Sequence, residues 1–123
     1  GIKVTASSDY PAFDRPSPPA RAKRIGFALA AGPLAQIQIG VQRGVSIAKM
    51  IRIYTLTGAE LLFMEKTTGS LEVGKVADIV VIEKDIRKVP VKEIHKTRPL
   101  MTMFAGRMVY RHAEFAEAAK LAK

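Results

Sequence analysis

A chain of 123 residues is one domain at most, or part of a larger one. A whole eight-stranded α/β barrel is excluded, because it needs about 200–250 residues. The composition, 48% hydrophobic and 25% charged with no Cys, excludes disordered and collagen-like chains, disulfides, thiolate metal sites and a Cys nucleophile. The formal charge of +9 invites an anionic partner, but the excess is +4 over residues 1–65 and +5 over 66–123, with no basic tail. The tightest basic cluster, Arg21, Lys23 and Arg24, has no interleaved aromatics to stack on bases, so nucleic acid is disfavoured. No apolar run approaches about 18 residues and the start lacks a signal-peptide core, so no membrane role and a cytoplasmic location are expected.

In chain order, Ile2 to Ala6 alternates apolar and polar residues as a short strand does, and Ser7 to Pro11 forms a loop at its carboxyl end. Pro16, Pro18 and Pro19 defer the next element, a short helix over Ala20 to Ala31 that ends at Gly32-Pro33. Leu34, Ile37 and Val41 predict a second short helix, with Gly40 and Gly44 weakening its end. A longer helix is predicted over residues 46–64. Ser46 is its N-cap, and Ile47, Met50, Ile51, Tyr54, Leu61 and Leu62 form its apolar stripe. Gly58 and Ala59 within it imply a close helix contact.

Strands replace helices after Lys66. Ile79 to Ile82 is a β-branched run that reads as a strand buried on both faces. Val91 to His95 allows one helical turn. Leu100 to Phe104 and Arg107 to Arg111 predict a hairpin around Ala105-Gly106, and Ala113 to Lys123 predicts a closing helix. A lone first strand followed by helices and then strands is odd for a self-contained domain, since an isolated strand is not stable. That order points to a fragment.

Few residues carry chemistry. Gly69 to Val76 imitates a phosphate-binding loop but lacks the Ser or Thr after Lys75, and it follows a helix, so two turns are expected instead. Asp9, at a strand end, could bind a metal or act as a general base, or could cap a turn. Ser7 and Ser8 have no His nearby in sequence, so local turn bonding suits them better. His95 and His112 lie 17 positions apart beside basic residues and make poor metal ligands, because zinc usually takes three or four protein ligands. Asp78 is read as a turn cap, and Met50 and Tyr54 as packing.

Four stretches in order carry a resemblance: Ala6-Ser7-Ser8-Asp9-Tyr10-Pro11, Tyr54 to Ala59, Gly69 to Ile82, and Ala105 to Tyr110. Together they resemble the carboxyl-terminal part of the metal-dependent amidohydrolase superfamily, closest to its amidohydrolase-3 branch, some of whose members are labelled exoenzyme-regulatory proteins. The resemblance implies an α/β fragment. Residues 1–65 would be the last strand and closing helices of an α/β barrel, 66–112 the returning strands of a small β-sandwich, and 113–123 a helix.

By the same resemblance Asp9 would be both metal ligand and catalytic base, activating a bound water. Ser7 stands where Gly is expected. The remaining ligands, a His-x-His pair and later Lys and His residues, would lie outside this chain. The parent would be a hydrolase of non-peptide C–N bonds in small amide-type molecules, using a divalent metal, zinc by expectation. The fragment alone would be inert and metal-free. The alternatives are a non-enzymatic regulatory or partner-binding domain on the same scaffold, and a basic anion- or nucleic-acid-binding module. An exposed barrel edge also predicts a homo-oligomer.

Overall fold

The structure, a computed structural model, describes residues 32–115. The expected first strand, the helix over 20–31 and most of the closing helix lie outside the described residues.

Helix α1 spans Gly32–Gln42. Gly32-Pro33, expected as a break, forms its first turn, where proline's missing N–H costs nothing. Leu34, Ile37 and Val41 face the core as their spacing predicts. The helix ends with Gly44 in the left-handed region, at φ +91°. The Val45 N–H bonds to the Gly40 carbonyl and the Gly44 N–H to the Val41 carbonyl, both at 3.0 Å. This bond pair closes a helix most readily when glycine takes the left-handed residue. Gly40 has a second use: a Cβ there would stand 2.3 Å from the Met50 sulfur, so glycine lets the next helix approach.

Helix α2 spans Ile47–Tyr54, and the Ser46 hydroxyl caps it by accepting the Lys49 N–H at 3.3 Å. The single helix predicted over 46–64 is not formed. Thr55 leaves helical geometry at φ −127°, ψ −97°, and a separate helix α3 covers Leu56–Leu61. The Thr55 hydroxyl donates to the Ile51 carbonyl at 3.0 Å, a back-bond that bends helices. The break redirects the stripe, so Leu61 and Leu62 are 54% and 67% exposed instead of packed. Phe63 then stops the chain in a left-handed conformation at φ +57°.

Strands β1 (Ile79–Ile82), β2 (Pro99–Phe104) and β3 (Arg107–Arg111) form an antiparallel sheet in the order β1-β2-β3. The predicted hairpin is present. Ala105 and Gly106 both have positive φ, which matches the right-handed twist of the strands it joins. Burial of β1 on both faces is not observed. Val80, Thr102 and Tyr110 are register partners on one face, and Val80 is 59% exposed there. The β-branched run suits the pleat of an outer strand whether or not that face is covered.

Between β1 and β2 the chain makes a 3-10 helix over Val91–Lys96, near the expected turn, and it packs on α1. Ile37, Met50, Ile86 and Ile94 form the core at this junction, and Ile94 is 1% exposed. The Tyr54 hydroxyl donates to the Gln36 side-chain oxygen, joining α2 to α1.

Candidate functional site

Asp9, the residue singled out for metal binding and catalysis, lies outside the described residues, as do Ser7 and Ser8. The remaining candidates can be placed. The Gly69 to Val76 stretch makes two turns, with Gly69 at φ +89° and Gly74 at φ +91°. Lys75 points back into its own loop, donating to the Ser70 hydroxyl at 2.5 Å and to Glu72 at 3.0 Å. The Ser70 hydroxyl bonds Glu72 at 2.5 Å. Ser70 and Lys75 hold the Glu72 carboxyl below its ordinary range, which makes it a poor base for Ser70. This cluster braces a loop.

The first turn packs tightly. A Cβ on Gly69 would lie 2.6 Å from the Ala59 Cβ and 3.1 Å from the Leu56 Cα. The close contact expected here with another helix is made instead by Ala59 against the turn at Gly69. Asp78 serves the same corner. One of its oxygens accepts the Ala105 N–H at 2.8 Å and the other accepts the Thr68 hydroxyl at 3.2 Å.

Between α2, α3, the 68–71 turn and β1 lies a cleft of about 580 Å³, lined chiefly by apolar groups including Tyr54, Ala59, Leu62, Leu71 and Val80. Its polar members, Tyr54, Thr55, Thr68, Ser70 and Asp78, are all committed to the bonds described above. The cleft therefore offers packing surface rather than reactive groups.

The histidines sit apart in function. The Gln38 side-chain oxygen accepts the His95 backbone N–H at 3.1 Å and lies 2.7 Å from His95 Nδ1, so that nitrogen carries its proton. His112 Nδ1 accepts the Glu114 N–H at 3.3 Å. Among the described residues no group of three or more His, Cys, Asp or Glu converges to hold a metal. Asp9, the one metal ligand that the resemblance implies within this chain, lies outside the described residues.

Some polar features were not anticipated. Gln38 is 9% exposed and falls at i+4 from Leu34 on the apolar stripe, a position that signals a committed amide. Arg98 pairs with Glu83 at 2.7 Å and Glu114 at 3.4 Å, and Arg87 pairs with Asp85 at 2.8 Å. No described helix is long and apolar enough to cross a membrane.

Comparison with known proteins places this arrangement. The amidohydrolase family profile matches residues 1–110. Among solved structures, an amidohydrolase from Thermotoga maritima MSB8 is similar at a TM-score of 0.65 and 21% identity, covering 91% of this chain and 24% of its own. A candidate prolidase from Bifidobacterium longum is similar at 0.54 and 26% identity, covering 72% of this chain and 23% of its own. No curated protein matches. This chain spans about a quarter of the length of the solved structures it resembles. The profile extends over nine-tenths of the chain, so the chain belongs to the amidohydrolase family.

Proposed function

We propose that this chain is the carboxyl-terminal portion of a metal-dependent hydrolase that acts on non-peptide C–N bonds in small amide-type substrates. The observation that carries the reading is the family match over residues 1–110, which takes in the Ala6 to Pro11 stretch together with the Gly69 to Ile82 stretch. In this reading residues 1–65 complete a barrel and 66–112 contribute to a β-sandwich. The sheet face bearing Val80, Phe104 and Tyr110, which are 59%, 64% and 44% exposed, suits cover by another sheet.

Asp9 is assigned two tasks. It contributes a carboxylate to a divalent metal site, zinc by expectation, and it moves the proton of the attacking water to the leaving nitrogen, as general acid–base catalysis requires. The other ligands come from the part of the protein that precedes this chain in the family. The chain alone is inert.

The test is to produce this chain alone and joined to the preceding barrel portion, and to measure bound metal and amide hydrolysis in each. About one or two divalent ions per molecule and hydrolysis in the joined protein alone support the reading. Hydrolysis by the isolated chain, or a joined protein that is metal-free and inactive, contradicts it.

A further inference from the structure

Strand β3 is an outer edge of the sheet, and its one strand neighbour among the described residues is β2. Strand β1, at the other edge, lines the cleft together with α2 and α3. An edge strand carries unpaired N–H and C=O groups along its free side. All five residues of β3 are exposed. Arg107 and Arg111 stand at its two ends and have no carboxylate partner among the described residues, unlike Arg52, Arg87 and Arg98.

Both ends of β3 are fastened. At the hairpin tip the Ala105 N–H bonds to Asp78 at 2.8 Å and the Gly106 N–H to the Ala77 carbonyl at 3.0 Å. Just past the far end the His112 N–H bonds to the Leu100 carbonyl at 2.8 Å. Pairing with an edge held in this way costs little ordering on its side. The register shifts along the strand: Met103 pairs with Met108 and Thr102 with Tyr110, which leaves Val109 as an extra residue. Such a bulge twists the edge, so it suits a short segment rather than a long flat strand.

We propose that β3 accepts an added strand from a protein partner: a short, extended acidic segment whose two carboxylates, four positions apart, stand opposite Arg107 and Arg111. Main-chain hydrogen bonds along the free side supply affinity, and the two ion pairs fix register. Met108, Val109 and Tyr110, 48%, 57% and 44% exposed, suit β-branched residues between the carboxylates. A second copy of this chain is the poorer occupant of this edge. Antiparallel pairing of two β3 strands about Val109 sets Arg107 of each opposite Arg111 of the other, and like charges directly opposite are destabilising. The formal charge of +9 also repels a copy and draws in an acidic segment. The surface lies wholly within this chain and does not depend on the hydrolase reading.

The test is fluorescence anisotropy of a labelled, end-blocked peptide, Thr-Glu-Val-Thr-Val-Glu-Thr, titrated with the full chain, with amide hydrogen exchange of residues 107–111 followed alongside. Binding should slow exchange within 107–111. The variant Arg107→Gln/Arg111→Gln should weaken binding about 3- to 10-fold, as expected for the loss of two exposed ion pairs. A control that removes the same charge from exposed positions beside α1 and in α2, Arg43→Gln/Lys49→Gln, should change affinity less than about twofold, because distant exposed charges are screened. A peptide with proline at its central positions keeps both carboxylates but loses main-chain donors, and should bind at least about 10-fold more weakly. No binding by the wild type, equal binding of the proline peptide, or equal weakening by both variants overturns the proposal. So does a homodimer that protects residues 107–111 without peptide, since the occupant would then be a second copy.

Discussion

The Asp78 carboxylate and the Ala105 backbone N–H, 27 residues apart, meet at 2.8 Å. Ala105 is the first residue of the β2–β3 turn, at φ +48°, and the Gly106 N–H donates to the Ala77 carbonyl at 3.0 Å. The hairpin tip is thus fastened to the chain entering β1, and the second Asp78 oxygen fastens Thr68 to the same point. Asp78→Ala should lower stability by about 1–3 kcal/mol in urea unfolding, since a charge-assisted acceptor for two donors is lost. Asp78→Asn, which keeps one acceptor oxygen, should lose less. An unchanged midpoint for Asp78→Ala would show that the tether contributes nothing.

Gly69 and Gly74 have nearly the same backbone angle and different surroundings. Added at Gly74, a Cβ meets nothing within 4 Å, whereas at Gly69 it meets Ala59 at 2.6 Å. Gly74→Ala should cost about 1–2 kcal/mol, the left-handed penalty alone. Gly69→Ala should cost distinctly more, and Ala59→Gly in the same chain should recover part of the difference. Equal costs at the two sites in thermal unfolding would refute the packing argument.

Phe63 is 91% exposed and left-handed, so its side chain gains little burial while its backbone is strained. The bonds around it, Met64 N–H to the Ala59 carbonyl at 2.9 Å and Phe63 N–H to the Glu60 carbonyl at 3.4 Å, are those of a helix end that prefers glycine. Phe63→Gly should stabilise the isolated chain by about 1 kcal/mol. A lower melting temperature for this variant would mean that Phe63 makes a contact that exposure does not reveal.

Stability at low pH should depend on Asp85. The Arg87 guanidinium, followed by the Arg87 backbone N–H, lowers its carboxyl from 3.8 to about 2. A depressed folded-state pKa adds stability above the unfolded value, and that stability is lost as pH falls through the folded one. The difference in melting temperature between wild type and Asp85→Asn should therefore be constant above about pH 5 and shrink between pH 4 and 2. A difference that grows on acidification would have the wrong sign.

Much of the fold is legible in the sequence because local chemistry sets it. The Ala105-Gly106 turn, the turns at Gly69 and Gly74 and the Ser46 cap each follow from one or two residues. The break at Thr55 is not legible, because Thr55 reads as an ordinary helix residue in the sequence and the turn at Gly69 that packs against residues 55–59 lies ten or more positions further on. The exposure of Val80 escaped for a related reason. A β-branched run looks the same whether the described chain covers it or not. Asp9 is a candidate by its motif and by the alternating residues before it, and it lies outside the described residues. Gln38 was overlooked because an amide on an apolar stripe reveals its purpose only when His95 arrives from 57 residues away.

The most direct test of the central claim is the effect of Asp9→Asn in the joined protein that carries the preceding barrel portion. If Asp9 ligates the metal and moves the proton, kcat/KM for amide hydrolysis should fall by about 10²–10⁴-fold, with circular dichroism unchanged and bound metal reduced. Wild-type hydrolysis and wild-type metal content in Asp9→Asn would contradict the claim and leave Asp9 as a residue of the turn.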